Sequence, residues 1–288
     1  MAQKYKSKSN SAQLDQFYTN PKIAKDCLDI VYKTIPSKNR TMFLEPSAGD
    51  GSFSDIVIND GHICRAFDLD PKKDYIEKAD FFTILSDNID TDISAVCCIG
   101  NPPFGKNSSL AVKFFNHCAT LASTICFVVP KTFKKQSIHN KLNLNFHLKK
   151  SIDLPKDSFI FNGRPYNVPC VFQIWQFEEK KRRVIKSKSE CVLFKFVKKN
   201  EADFAIRRAG GRAGTAFLEI INLSEESNVF CKVFDKTKIE EIVGLINSID
   251  FTKIANSTAG VRSVSKGEII RAIERRLNVN KSKSRERI

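Results

Sequence analysis

Four consecutive residues, Asn101-Pro102-Pro103-Phe104, directly follow the apolar run Ala-Val-Cys-Cys-Ile-Gly at 95–100. Two prolines at the end of a strand remove two N–H donors and leave two carbonyl acceptors. The side chain of Asn101 adds a third acceptor, and the ring of Phe104 adds a flat stacking face. Such a site suits a planar ligand with an exocyclic amine; the plainer alternative is a rigid turn that ends a strand. A second cluster, Phe-Leu-Glu-Pro-Ser-Ala-Gly-Asp-Gly-Ser-Phe at 43–53, reads as a strand, a glycine loop and the start of a helix. Glycine lets backbone approach a ligand closely, and the first N–H groups of a helix are free to bind it. The loop lacks the Gly-Lys-Ser/Thr of a Walker loop and the third glycine of a dinucleotide fingerprint.

The elements that must hold these residues are legible along the first 177 positions. Short runs rich in Ile, Val, Phe and Cys fall at 42–45, 63–68, 95–99, 125–129, 148–154 and 168–177. Several are apolar throughout, as strands buried on both faces are. Helices are predicted over 21–34, with Pro21 at a first helical position, and over 53–59 and 108–122. The alternation predicts an open α/β sheet with crossover helices. At 178–190 the composition turns charged and nearly free of apolar residues, which predicts a linker or exposed edge. Beyond it, a strand at 192–197, a glycine loop at 210–214, helices at 239–246 and 266–277, and a serine-rich loop at 257–265 outline a smaller unit. The last eight residues are too polar to pack and are expected to fray.

The 288 residues carry 47 Lys and Arg against 32 Asp and Glu, a net charge of +15. Residues 41–100 carry −8, so an acidic block sits inside a basic chain. That balance favours a polyanionic partner such as nucleic acid. No apolar run approaches the roughly 18 residues of a membrane helix. The polar first residues predict no signal peptide, and nine cysteines without a CxxC pair predict buried thiols in a reducing, intracellular compartment. The four histidines (62, 117, 139, 147) show no ligand spacing, so no metal is expected. Pro169-Cys170 imitates a thiolate nucleophile, but its place inside a core strand predicts a buried, inert thiol.

The two motifs together resemble those of the S-adenosylmethionine-dependent amino-methyltransferases, and within them the N6-adenine DNA methyltransferases. Asn101, Pro102, Pro103 and Phe104 match the catalytic signature of that family. Glu45, Pro46, Ser47, Gly49 and Gly51 match its cofactor loop. Asp68 in Ala-Phe-Asp-Leu-Asp-Pro matches the acid that binds the cofactor ribose, with Asp70 as the alternative. Asp80 matches the residue that touches the cofactor adenine, with Phe81 packing on the ring. Thr19, Asn20 and Pro21, within Gln16–Pro21, match a motif near the methionine end. The five elements span residues 16–177 in the order of the gamma arrangement. The resemblance implies a Rossmann-like class I methyltransferase sheet with helices on both faces at 1–180, and a small basic α+β domain at 181–288. It also implies S-adenosyl-L-methionine as cofactor.

The chemistry of these residues agrees with those roles. Strand-end carboxylates such as Asp68 and Asp80 can accept hydrogen bonds from ribose hydroxyls and an adenine amine. Asn101 Oδ1 and the Pro102 carbonyl can accept the two N–H bonds of an adenine N6, which turns its lone pair toward a sulfonium methyl. Asn101 would thus meet both target and cofactor. The base must leave the duplex and stack on Phe104. Register against the family points to Trp175 as the second stacking wall, with Phe172 and Phe177 as near alternatives; a strand aromatic is otherwise core.

In the C-terminal part, Arg207, Arg208 and Arg212 flank glycines 210, 211 and 214, and Arg262 and Lys266 sit in the serine-rich loop region. Arginine beside glycine suits a phosphate-backbone contact, and a solvated basic surface is the alternative. The expected partner is nucleic acid, DNA favoured over RNA. A restriction endonuclease partner is compatible with this reading but is named by no residue. The rivals are RNA N6-adenine methylation, glutamine methylation of a protein, and a nucleic-acid-binding pseudoenzyme.

Overall fold

The computed structural model describes residues 17–35, 41–88, 95–186, 190–258 and 261–285. Gln16, residues 187–189 of the charged stretch and 259–260 of the serine-rich loop lie outside the described residues. The chain divides into two compact units, Met1–Val184 and Ile185–Ile288.

The first unit opens with a two-residue strand, β1 (Tyr18–Thr19), and a helix, α1 (Pro21–Thr34). The Lys22 N–H donates to Asn20 Oδ1 at 3.0 Å and Pro21 takes the first turn, so the helix starts where a capping residue and a proline dictate. Ala24, Cys27, Leu28 and Val31 recur at helical spacing and are its buried stripe. Then follow β2 (Thr41–Glu45), α2 (Ser54–Asn59), β3 (Ile63–Asp68), β4 (Glu77–Lys78), β5 (Ala95–Gly100), α3 (Ser109–Cys118) and β6 (Thr124–Pro130). Strand β7 (Phe146–Asp153), the hairpin β8 (Phe159–Phe161) and β9 (Arg164–Tyr166), and β10 (Cys170–Phe177) complete it.

Seven strands form one sheet in the order β4-β3-β2-β5-β6-β10-β7. The neighbours from β4 to β6 pair in parallel, and β10 is antiparallel to both β6 and β7. A central parallel set with a reversed penultimate strand is the Rossmann-like class I methyltransferase architecture, as expected from the sequence. Every residue of β6 is buried. Ile125, Phe127 and Val129 pack with α3 residues Phe114, Phe115 and Cys118 on one face. Cys126 and Val128 pack with α1 and α2 on the other. Each large side chain so buried contributes about 1.5–3 kcal/mol.

A separate three-stranded sheet has the order β1-β8-β9. Its hairpin turns at Asn162 (φ 50°) and Gly163 (φ 70°), the left-handed pair that a two-residue type I′ turn requires.

The charged stretch after β10 is less free than its composition predicts. Arg182 Nε donates to the Phe146 carbonyl at 2.5 Å, and its Nη2 reaches the carbonyls of His139, Leu142 and Asn143. Its guanidinium lies 5.2 Å from the centre of the Trp175 ring. A long side chain that feeds four carbonyls ties residues 178–182 to the first unit.

The second unit is α+β. Strands β11 (Phe194–Val197), β12 (Phe204–Arg207), β13 (Ala216–Phe217) and β14 (Asn228–Val233) form an antiparallel sheet in the order β11-β14-β12-β13. Helices α4 (Ile239–Asn247) and α5 (Lys266–Arg285) cover it through Ile242, Val243, Ile246, Ile269, Ile270 and Ile273. Helix α5 runs past the expected end at 277 and includes residues 281–285, which were expected to fray. Among the described residues, no helix is long and apolar enough to cross a membrane.

Candidate active site

The carboxyl ends of β2, β3 and β5 open into a cavity of about 450 Å³. In an open α/β sheet this edge is where loops diverge and ligands bind. Thr19, Glu45, Pro46, Ser47, Gly49, Asp68, Asp80, Phe81, Asn101 and Pro103 all line it. One cavity thus gathers residues from five separate stretches of sequence.

The glycine loop is shaped by its neighbours. Gly49 has φ +56°, and a Cβ there would lie 2.8 Å from Tyr18 Cε1. The Gly49 N–H donates to Asp68 Oδ2 at 2.8 Å, and the Asp70 N–H donates to Asp68 Oδ1 at 2.8 Å. Asp68 is therefore clamped at the tip of β3, with lone pairs left for a ligand hydroxyl. Gly51 does not line the cavity. Its φ of +81°, and the Tyr75 hydroxyl that a Cβ would strike, make it a turn residue.

Glu45, at the end of β2, is 2% exposed and accepts from the Ser54 N–H at 2.8 Å. Burial pushes its pKa up to about 8, with Asp50 and Asp55 adding repulsion and Ser54 opposing it. Asp80 accepts from the Phe82 N–H at 3.0 Å. Phe81 reaches the cavity wall, yet its ring is 2% exposed and stacks on Phe114 at 6.1 Å, so most of it belongs to the core. The neighbouring Phe82 carries the Lys113 ammonium 4.0 Å from its ring centre.

Asn101 follows β5. Its Nδ2 donates to the Phe17 carbonyl at 2.8 Å. Its Oδ1 is buried and has no hydrogen-bond partner. Thr19 Oγ1 is in the same condition. A buried acceptor without a donor is unfavourable by about 1–3 kcal/mol, so it marks a place where a donor belongs. The Ser47 hydroxyl donates to the Asn101 carbonyl at 3.3 Å, joining the glycine loop to the turn. Phe104 is half-buried and meets Phe159 edge-on at 6.5 Å. Pro102 and Phe104 flank the cavity without lining it.

Several expected residues lie elsewhere. Trp175 is not a stacking wall. It is 1% exposed, donates to Gln173 Oε1 at 3.0 Å, and packs edge-on against Phe115 and His139. Strand β10 runs antiparallel, so Trp175 pairs with Ile125 at the start of β6, while Cys170 pairs with Pro130 at its end. The ring is therefore at the opposite edge of the sheet from the cavity. Asn20 and Pro21 start α1 and do not line the cavity. Cys170 is 1% exposed and burial drives its thiol pKa up, so it holds no ready thiolate.

The aromatic beside Asn101 in the cavity wall is Phe17, and the hairpin backs its ring. Tyr166 is 42% exposed and stacks on Phe17 at 5.0 Å and 4°, with Phe161 5.6 Å away. This hairpin is absent from the strands predicted above, although Asn162-Gly163 between two aromatic runs is its ordinary signal.

In the second unit, the two basic loops are zipped together. The Gly210 N–H donates to the Arg262 carbonyl at 2.9 Å, and the Val264 N–H to the Arg208 carbonyl at 2.8 Å. Arg208 and Arg262 are exposed. Arg207 is partly occupied, its Nε donating to the Ala209 carbonyl, Arg212 lies over Phe217 and Lys266 over Phe196. Gly214 is a packing glycine: a Cβ would collide with the Phe251 ring. Among the described residues, no group of three His, Cys, Asp or Glu could hold a metal ion.

No family model matches the chain, and no curated protein matches it. Several solved structures resemble it. A candidate RNA methyltransferase from Pyrococcus horikoshii is 12% identical over 61% of this chain and 93% of its own, with a TM-score of 0.46. A candidate class I S-adenosylmethionine-dependent methyltransferase from Listeria monocytogenes is 16% identical over 59% and 63%, with a TM-score of 0.42. TrmN from Thermus thermophilus is 16% identical over 55% and 49%, with a TM-score of 0.37. At such identities and scores the likeness carries no argument about function, and the fold rests on the strand order itself.

Proposed function

We propose that the chain is an S-adenosylmethionine-dependent methyltransferase that modifies the N6 amine of adenine in nucleic acid, DNA in preference to RNA. One observation supports this most: Asn101 Oδ1, buried and unpartnered, stands in a cavity that also presents the glycine loop and the carboxylates of Asp68 and Asp80. The donor set fits the cofactor. Asp68 suits ribose hydroxyls, Asp80 suits an adenine amine, and the protonated carboxyl of Glu45 and the orphaned Thr19 hydroxyl suit a polar end. When bound, S-adenosylmethionine supplies an electrophilic methyl on a sulfonium.

The residues of the chain then orient rather than ionise the target. Asn101 Oδ1 and the Pro102 carbonyl accept the two N–H bonds of N6 and raise its lone pair out of the ring plane. Transfer would break the carbon–sulfur bond and leave a neutral thioether, and the surplus N6 proton, which neither Asn101 nor the Pro102 carbonyl can retain, would pass to water. The high pKa of Cys170 supports a reaction without a protein–base bond. Phe104 offers the base one face, and Phe17, which lines the cavity and is backed by Tyr166, takes the role that Trp175 cannot. Arg208 and Arg262 are the side chains best placed to meet phosphates, and the second unit is the proposed target-recognition element.

The test is Asn101→Ala. Loss of one preorganised partner predicts a fall of about 10²–10³ in kcat. Affinity for S-adenosylhomocysteine should stay within about threefold of wild type, about 0.6 kcal/mol. Full activity would move the catalytic site away from this turn.

A further inference from the structure

An amide that accepts a hydrogen bond from a target must first be held the right way round. The oxygen and nitrogen of an asparagine differ little in size, and rotation about the terminal bond exchanges them. Asn101 has one fixed neighbour that discriminates between them. The Phe17 carbonyl can only accept, so the atom 2.8 Å from it is Nδ2, and Oδ1 is turned to the other side. That Oδ1 is the buried atom without a partner.

Phe17 is itself held by the small sheet. It directly precedes β1, whose Tyr18 and Thr19 pair with Ile160 and Phe159 of β8. Its ring stacks on Tyr166 at 5.0 Å and 4°, and lies 5.4 Å from Phe161. The type I′ turn at Asn162 and Gly163 sets the hairpin that presents both rings. The Phe17 carbonyl, directly before β1, thus gains a stacked aromatic brace.

We infer that the β1-β8-β9 sheet is a positioning device for the catalytic amide, in which Tyr166 braces Phe17 and the Phe17 carbonyl sets Asn101 with Oδ1 toward the target amine. The inference rests on the proposed reaction for its catalytic consequence. The amide lock itself is a property of the folded protein. Phe17 and Tyr166 are positioning residues, acting through Asn101.

The lock is read first without turnover. In 15N-labelled protein, the Asn101 side-chain NH2 pair is identified by its loss in Asn101→Ala. One of its protons should be shifted downfield and protected from exchange. Tyr166→Leu should remove that protection, and Tyr166→Phe, which keeps the ring, should retain it. An Asn101 NH2 exchanging as fast as an exposed amide in wild type would overturn the inference.

The consequence is read by pH. In Asn101→Asp, an ionised carboxylate repels the Phe17 carbonyl, whereas a protonated one donates to it and still accepts from the amine. At pH 8 kcat should fall on the order of 10²-fold below wild type. The ratio of variant to wild type should recover at least about tenfold, or about 1.4 kcal/mol, by pH 5.5. The ratio cancels the titration that the two proteins share, that of Glu45 included, which lines the cavity with Asp50, Asp68, Asp70, Asp80 and Lys113. Tyr166→Leu should lower kcat in wild type but add little to Asn101→Asp, because the lock is already broken. A pH-independent ratio, or additive losses in the double variant, would overturn the inference. A wild-type protein that methylates no nucleic acid but keeps the protected amide would refute the proposed reaction and leave the lock standing.

Discussion

Glu45 allows a stability prediction that uses no ligand and no substrate. Its carboxyl ends β2, is 2% exposed, and has a pKa pushed from 4.5 to about 8. Between those values the native state holds a proton that the unfolded chain has released. Unfolding therefore becomes more favourable as pH rises through that window, and the effect levels off above about pH 8. The gap of about 3.5 at about 1.36 kcal/mol each sets an upper bound on the order of 5 kcal/mol. In Glu45→Gln the amide oxygen can still accept from the Ser54 N–H, and nothing ionises. Urea unfolding of the first unit between pH 5 and 8.5, followed by its single tryptophan, measures the slope. The wild type should lose stability with rising pH by an amount that the variant does not lose. Parallel slopes in the two proteins would refute the reasoning, because they would mean that Glu45 ionises as freely in the fold as in the unfolded chain.

Three more outcomes follow from particular residues. Gly49→Val places a β-branched residue at φ +56° with its Cβ 2.8 Å from Tyr18 Cε1, a strain of about 1–3 kcal/mol; calorimetry should show S-adenosylhomocysteine affinity falling at least about tenfold in the folded variant. Neutralising Arg208 and Arg262 together should reduce the log–log salt slope of DNA binding by about 0.9 for each phosphate no longer neutralised, and weaken all sequences alike. Trp175→Phe should destabilise the first unit by about 1–3 kcal/mol, because the smaller ring fills the core less well and cannot donate to Gln173, while fluorescence of a 2-aminopurine at the target position stays unchanged.

What the sequence makes legible here follows the range of each signal. Strand β6 is apolar at every position because both of its faces are buried, and α1 announces itself through Asn20, Pro21 and a helical stripe. The Asn101–Phe104 turn and the glycine loop are local motifs, and the sheet brings them to one edge. Trp175 shows where local reading ends. Alternation along β10 tells which face a side chain takes, but the end of the sheet it reaches depends on the antiparallel pairing with β6. Arg182 was hidden in a charge run because its four carbonyl partners come from residues about 36–43 positions away. The strands of the second unit are two to six residues long, too short for a period to show.

The central claim is the identity of the acceptor atom. The wild-type protein is incubated with methyl-labelled S-adenosylmethionine and matched DNA, RNA and protein substrates, and the products are digested and separated. The account predicts label in DNA as N6-methyladenine, with no covalent protein–base adduct at any time point. Label recovered as 5-methylcytosine, an adduct through Cys170, or label confined to glutamine side chains of protein would contradict it.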